Sequence, residues 1–148
     1  MAFTNCLFLK EAMSEFSHVA LNLANEKRVV FTALSKKFFY FRYHIVKFVL
    51  EQGMVPLNPF TSFDYFLLDT VDRDTVRAAN NVLVNRADEL WVFGDVSDGV
   101  LAEIKQVQAQ GKPIRFFKIV NSQSVEPVEP QEVVFEDEVS AFRDVILP

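Results

Sequence analysis

Between Ala87 and Ile104 the chain passes from an unbroken apolar run through a polar loop into a helix that carries an acid, and few folds accept that order of signals. Glu89-Leu90-Trp91-Val92-Phe93 combines β-branched and aromatic residues and stops at Gly94, as a central strand does. Ser97-Asp98-Gly99 turns the chain and caps the next helix, about one turn before Glu103. On a helical wheel Val100, Ile104 and Val107 define the apolar stripe and Glu103 sits at its edge. Its carboxylate is therefore expected to look across the strand ends.

The same alternation recurs along the chain. Arg28–Ala33 reads as a strand, and an aromatic helix from about Phe39 to Gln52 is closed by Gly53. Met54–Leu57 is a strand that Pro56 makes short or places near an edge. A helix over 74–86, the strand 89–94, a helix over 98–110 ended by Gly111, and the strand Pro113–Phe117 follow. Leu9, Met13, Phe16, Ala20 and Leu23 recur at spacings of four and three, which predicts an amphipathic helix over 5–25 packed on something. Residues 58–73 form an irregular aromatic insertion. Glu126-Pro127-Val128-Glu129-Pro130 reads as an acidic surface connection, with Val133–Phe135 as a last strand and Ser140–Ile146 as a last short helix. The pattern implies a doubly wound α/β fold, a parallel sheet of about five strands with helices on both faces. Its 148 residues fit one domain, with an N-terminal helix (1–27), a core (28–118) and an acidic tail (119–148).

Charge and composition narrow the partners. A net charge of −5 and a pI near 5.0 argue against a nucleic acid polymer, which needs clustered Lys and Arg. Sixteen Phe in a chain that is 50% hydrophobic supply a two-sided core and leave material for an aromatic pocket or a subunit interface. Cys6 cannot form an intrachain disulfide, and His18 and His44 make no metal spacing, so neither a metal nor another cofactor is expected. No basic leader precedes an apolar segment, and no stretch approaches the roughly 18 apolar residues of a membrane span. The expectation is a cytoplasmic protein.

In a doubly wound sheet, ligands bind beyond the carboxyl ends of the strands. Four loops should gather there: Thr32–Lys37, Asn58–Phe66, Asp95–Gly99 and Lys118–Ser122. Thr32, Ser35, Lys36, Lys37 and the nearby Arg42 are candidates for a phosphate, although no glycine-rich fingerprint accompanies them and solvated basic residues would look the same. Asn80 shares a helical face with Val76, Leu83 and Ala87, either as a satisfied core amide or as a ligand contact. Glu103 is either a dipole-stabilised first-turn acid or a functional carboxylate, and the dipole would favour its ionised form. Tyr40, Tyr43 and Tyr65 either pack or stack on a base, and Trp91 reads as core.

These segments resemble the nucleoside 2-deoxyribosyltransferase-like superfamily, which includes the deoxynucleoside monophosphate N-glycosidases. The resemblance spans roughly 29–118 and lies in Val30-Phe31-Thr32-Ala33-Leu34-Ser35, in Arg86–Phe93, and in Ser97–Ile104 followed by Gly111-Lys112-Pro113-Ile114. It implies a flavodoxin-like fold and N-glycosidic bond cleavage or transfer on a nucleoside or nucleoside 5′-monophosphate, with Glu103 as nucleophile and Asp98 as a supporting acid. It further implies Ser97, Asn80, Gly99, Asn58, Tyr40 and Thr32 around sugar and base, Ser35 and Arg42 near a phosphate, and a homodimer or higher homo-oligomer. Ser97, where transferases tend to carry an aspartate, leans toward a phosphorylated ligand. Asn80 stands where relatives carry an acid, and an amide cannot supply a proton. The competing expectation is a noncatalytic nucleotide-binding module on the same fold.

Overall fold

The computed structural model describes residues 2–63 and 70–146. Its centre is a five-stranded sheet in the order β2-β1-β3-β4-β5, formed by β1 (Val29–Leu34), β2 (Val55–Leu57), β3 (Glu89–Phe93), β4 (Ile114–Val120) and β5 (Ser124–Pro127). The first four strands are parallel and β5 is antiparallel to β4. This is an α/β sheet of the flavodoxin-like kind. β2 is an edge strand of three residues, where Pro56 costs least.

Alternation along the central strands loads both faces. Phe31, Ala33, Leu90, Val92 and Phe116 join one core with Val84 of α4 (Arg73–Arg86) and Val100, Ile104 and Val107 of α5 (Asp98–Ala109). Val30, Trp91, Phe93 and Phe117 join the other with Ile45 and Val49 of α2 (Arg42–Glu51). Each fully buried side chain of this size contributes about 1.5–3 kcal/mol of transfer free energy. Helices thus cover both faces, as the pattern implied.

Three expectations change. The N-terminal helix α1 (Ala2–Glu15) stops well short of residue 25, and a 3-10 turn over Val19–Asn22 follows, started by His18, whose ring nitrogen accepts from Ala20 N at 3.1 Å. Leu9, Met13, Phe16 and Leu23 are all more than 60% exposed, so the stripe over 5–25 is not packed against the described residues. The acidic segment is not only a connection: its first residues complete β5, reached through a turn in which Asn121 and Ser122 take left-handed φ of 52° and 54°. Val133–Phe135 is no full strand. It makes a single bridge, Phe135 with Val96, and its buried Val133 and Phe135 close the core. A 3-10 turn over Asp137–Phe142 then leads into the short α6 (Arg143–Ile146).

Candidate active site

Because α4 and α5 both run back along the sheet, their N-termini lie at the carboxyl edge of the strands, where backbone N–H groups point outward. A cleft of about 760 Å³ opens there. Leu34, Ser35 and Lys36 at the end of β1 form one wall, and Pro59 and Phe60 of the short α3 (Pro59–Ser62), with Phe63, form an aromatic one. Arg73, Val76, Arg77 and Asn80 come from α4, Ser97 to Val100 and Glu103 from the start of α5, and Glu136 and Glu138 from the C-terminal segment.

The two helices are laced by amide side chains. Asn80 Nδ2 donates to Glu103 Oε1 at 2.9 Å, Gln106 Nε2 to Asn81 Oδ1 at 2.9 Å, and Gln110 Nε2 to Asn85 Oδ1 one turn on. Asn80 therefore does face inward, and it faces the glutamate. Its Oδ1 is buried and has no hydrogen-bond partner among the described residues. Glu103 keeps some surface open to the cleft, but protein atoms crowd its carboxyl, and no cation pairs with it among the described residues. Burial pushes its pKa up to about 8, against a smaller lowering by the Asn80 bond. Glu103 is the sixth residue of α5, beyond the first turn that the sequence suggested, and desolvation dominates, so the carboxyl is mainly neutral at pH 7 rather than ionised.

Around it, Ser97 caps α5 by accepting from Val100 N at 3.4 Å, and the exposed Asp98 accepts from Gly99 N at 2.7 Å. Gly99 lines the cleft with nothing within 4 Å of where a Cβ would stand. Ser35 donates not to a phosphate-like position but to Glu136 Oε1, at 2.9 Å. Lys37 bridges Asp95 and Glu136, the latter at 3.4 Å, and the Asp95 hydrogen bond, chiefly, raises its pKa. Gly94 makes this corner possible: its φ is +78°, and a Cβ there would lie 2.6 Å from the Phe38 ring.

Besides Lys37, four expected residues do not line the cleft. Thr32 is buried within β1 and donates to Leu57 O at 3.2 Å. Asn58 is buried as the cap of α3, accepting from Phe60 N at 2.9 Å. Tyr40 is exposed and shares a 3.0 Å hydrogen bond with Ser122 Oγ. Arg42 folds back, its guanidinium 3.9 Å from the Phe39 ring centroid and 4.5 Å from that of Tyr43. The cations that do line the cleft are Lys36, Arg73 and Arg77. Tyr65 and Phe66 of the aromatic insertion lie outside the described residues. Glu136 and Glu138 had no local signal, because their placement depends on a segment that crosses back from the far end of the chain. No three metal-ligating side chains cluster among the described residues, and none of their helices is long and apolar enough to cross a membrane.

Residues 31–117 match the family described as a domain of unknown function (DUF7768). No curated protein matches the sequence. The fold is similar to that of a solved structure, the 2-desoxiribosyltransferase from Leishmania mexicana, with a TM-score of 0.51 and 14% identity over 79% of this chain and 97% of that one. At that identity the likeness concerns the fold.

Proposed function

The chain belongs to the DUF7768 family, and we propose that it binds a nucleoside or nucleoside 5′-monophosphate in this cleft and cleaves or transfers the N-glycosidic bond through Glu103. One observation carries the reading: a recessed carboxyl at the carboxyl edge of the sheet, unpaired with any cation among the described residues and held through one oxygen by Asn80 at 2.9 Å. The fold likeness to a 2-desoxiribosyltransferase supports the same class of reaction.

Breaking an N-ribosidic bond builds oxocarbenium character at the anomeric carbon, which a carboxylate beneath it stabilises or traps. In the covalent course an oxygen of ionised Glu103 bonds to that carbon as the bond to the base breaks. The base leaves with the electron pair and takes up a proton, and water or a second base then displaces the glutamate. Asn80 holds the carboxyl in orientation, and its unpartnered Oδ1 accepts either from the neutral carboxyl or from a ligand hydroxyl. Asp98 places a second carboxyl group at the mouth, Ser97 and Gly99 border the sugar, and Phe60 and Phe63 offer the base an aromatic wall. The exposed Leu7, Phe8, Leu9 and Met13 of α1 are the apolar surface for the expected homo-oligomer.

A nucleophile must be deprotonated, so with the pKa near 8 the rate should rise as pH rises through 8 and level off above it. The test is a chromatographic screen of nucleosides and monophosphates for released base, run beside Glu103→Gln. Undiminished release by that variant would overturn the mechanism. One observation favours a second reading, a noncatalytic binding module: a mainly neutral Glu103 held by Asn80 is not the nucleophilic form at pH 7. Saturable binding without release of base over long incubation would select it.

A further inference from the structure

The Ser35 corner of the cleft is acidic by construction. Ser35 is buried and its hydroxyl donates to Glu136 at 2.9 Å. That carboxylate is not a loose visitor: Glu136 N donates to Val96 O at 2.9 Å, Val96 N donates to Val134 O at 2.9 Å, and the neighbouring Phe135 is buried in the core. Lys37, 3.4 Å from Glu136, is shared with Asp95, so two carboxylates divide one ammonium. Glu138 also lines the cleft but is exposed and screened like the cations opposite, while Arg42 is withdrawn onto Phe39 and Tyr43.

Accepting the nucleoside reading of the cleft, on which this depends, we infer that the 5′ end of the sugar meets this corner and that Glu136 there selects an unphosphorylated nucleoside over its 5′-monophosphate. A free hydroxyl can donate to Glu136 and leave the Ser35 bond in place. A phosphate only accepts at this position when ionised, so it must take the Ser35 proton away from Glu136 and stand beside that fixed negative charge. Like charges so juxtaposed in a partly dehydrated cleft disfavour binding by about tenfold or more. The opposing cations are weaker competitors: Arg77 is engaged with Asp74 at 3.0 Å, and Lys36 and Arg73 are exposed and screened by solvent.

Calorimetric titration of the full chain with paired nucleosides and their 5′-monophosphates tests this. The expected result is at least about tenfold tighter binding of a nucleoside than of its own monophosphate at low salt, a gap that narrows as salt rises. In Glu136→Gln, which keeps an acceptor for Ser35, the gap should shrink by about tenfold. If that variant fails to fold, the wild-type preference and its salt response still decide. Equal or tighter binding of the monophosphate by the wild type would overturn the inference and give selection to Lys36, Arg73 and Arg77. An unchanged gap in a folded Glu136→Gln would overturn it too. Both results leave nucleoside binding standing, whereas binding of neither class at millimolar concentration would overturn the reading of the cleft itself, and this inference with it.

Discussion

Glu103 meets one amide and no cation among the described residues, whereas Glu136, lining the same cleft, accepts from Ser35 at 2.9 Å and lies 3.4 Å from Lys37. The first carboxyl is crowded into a mainly neutral form at pH 7, and the second faces an ammonium whose own pKa is raised. Two identical side chains are thereby given different surroundings, and the tasks proposed for them differ accordingly, one to react and one to discriminate. They also differ in origin. Glu103 comes with the helix start that follows the central strand, while Glu136 is carried in by a segment that bridges to Val96.

The contrast can be broken most sharply at Glu103. Glu103→Ala should lower base release by about a hundredfold or more with the circular dichroism spectrum retained, and a smaller loss would move the reaction elsewhere. Next in size is stability. A glutamate whose pKa rises from 4.5 to about 8 on folding leaves the fold unpenalised below the unfolded value, destabilises it progressively as pH climbs between the two, and by a constant amount above 8. The ceiling is about 5 kcal/mol, reduced because the cleft admits water. Glu103→Gln should therefore raise Tm at pH 9 and leave it nearly unchanged at pH 4, as thermal melts across pH would record.

Asn80→Ala should cost about tenfold in base release, the scale of one hydrogen bond to a charged group. Because the Asn80 bond lowers the Glu103 pKa, its removal should also shift the rising limb of the rate profile to higher pH. A rate loss without that shift would mark Asn80 as structural only. The smallest effect belongs to the other carboxylate: with Lys37 about half exposed, Lys37→Met should destabilise by about 1 kcal/mol or less in denaturant titrations, and less still at high salt.

Much of this was legible before the fold was seen. β1 and β3 announced themselves as apolar runs broken only by Thr32 and by Glu89 at the start, and the face shared by Val76, Asn80 and Leu83 pointed Asn80 at what turned out to be Glu103. β5 was hidden because Glu126 and Pro127 suit an edge strand that is mostly exposed, where apolar alternation is not required. Arg42 was misplaced for a geometric reason. The chain from Lys36 to Phe41 is a 3-10 turn, and at three residues per turn it changes the phase at which α2 begins, laying the guanidinium on Phe39. The α1 stripe was read correctly as helical over its first half, but periodicity cannot say whether a partner surface exists. Glu136 could only have been found by noticing that buried Val133 and Phe135 set its neighbours' facing, a signal that needs the sheet to interpret it.

The bond between Ser35 and Glu136 joins positions 101 residues apart, and its consequence concerns the order of assembly. Closing a loop of that length costs entropy that only an already formed core can offset, so contacts this distant in sequence form late. The sheet and its two helical covers can exist while the segment around Glu136 is still open, and the Val96 and Glu136 amides would then exchange with solvent through a partial opening that spares β1 and β3. The part of the cleft proposed to choose the ligand should thus form after the sheet and open before it, as hydrogen exchange at these amides would record.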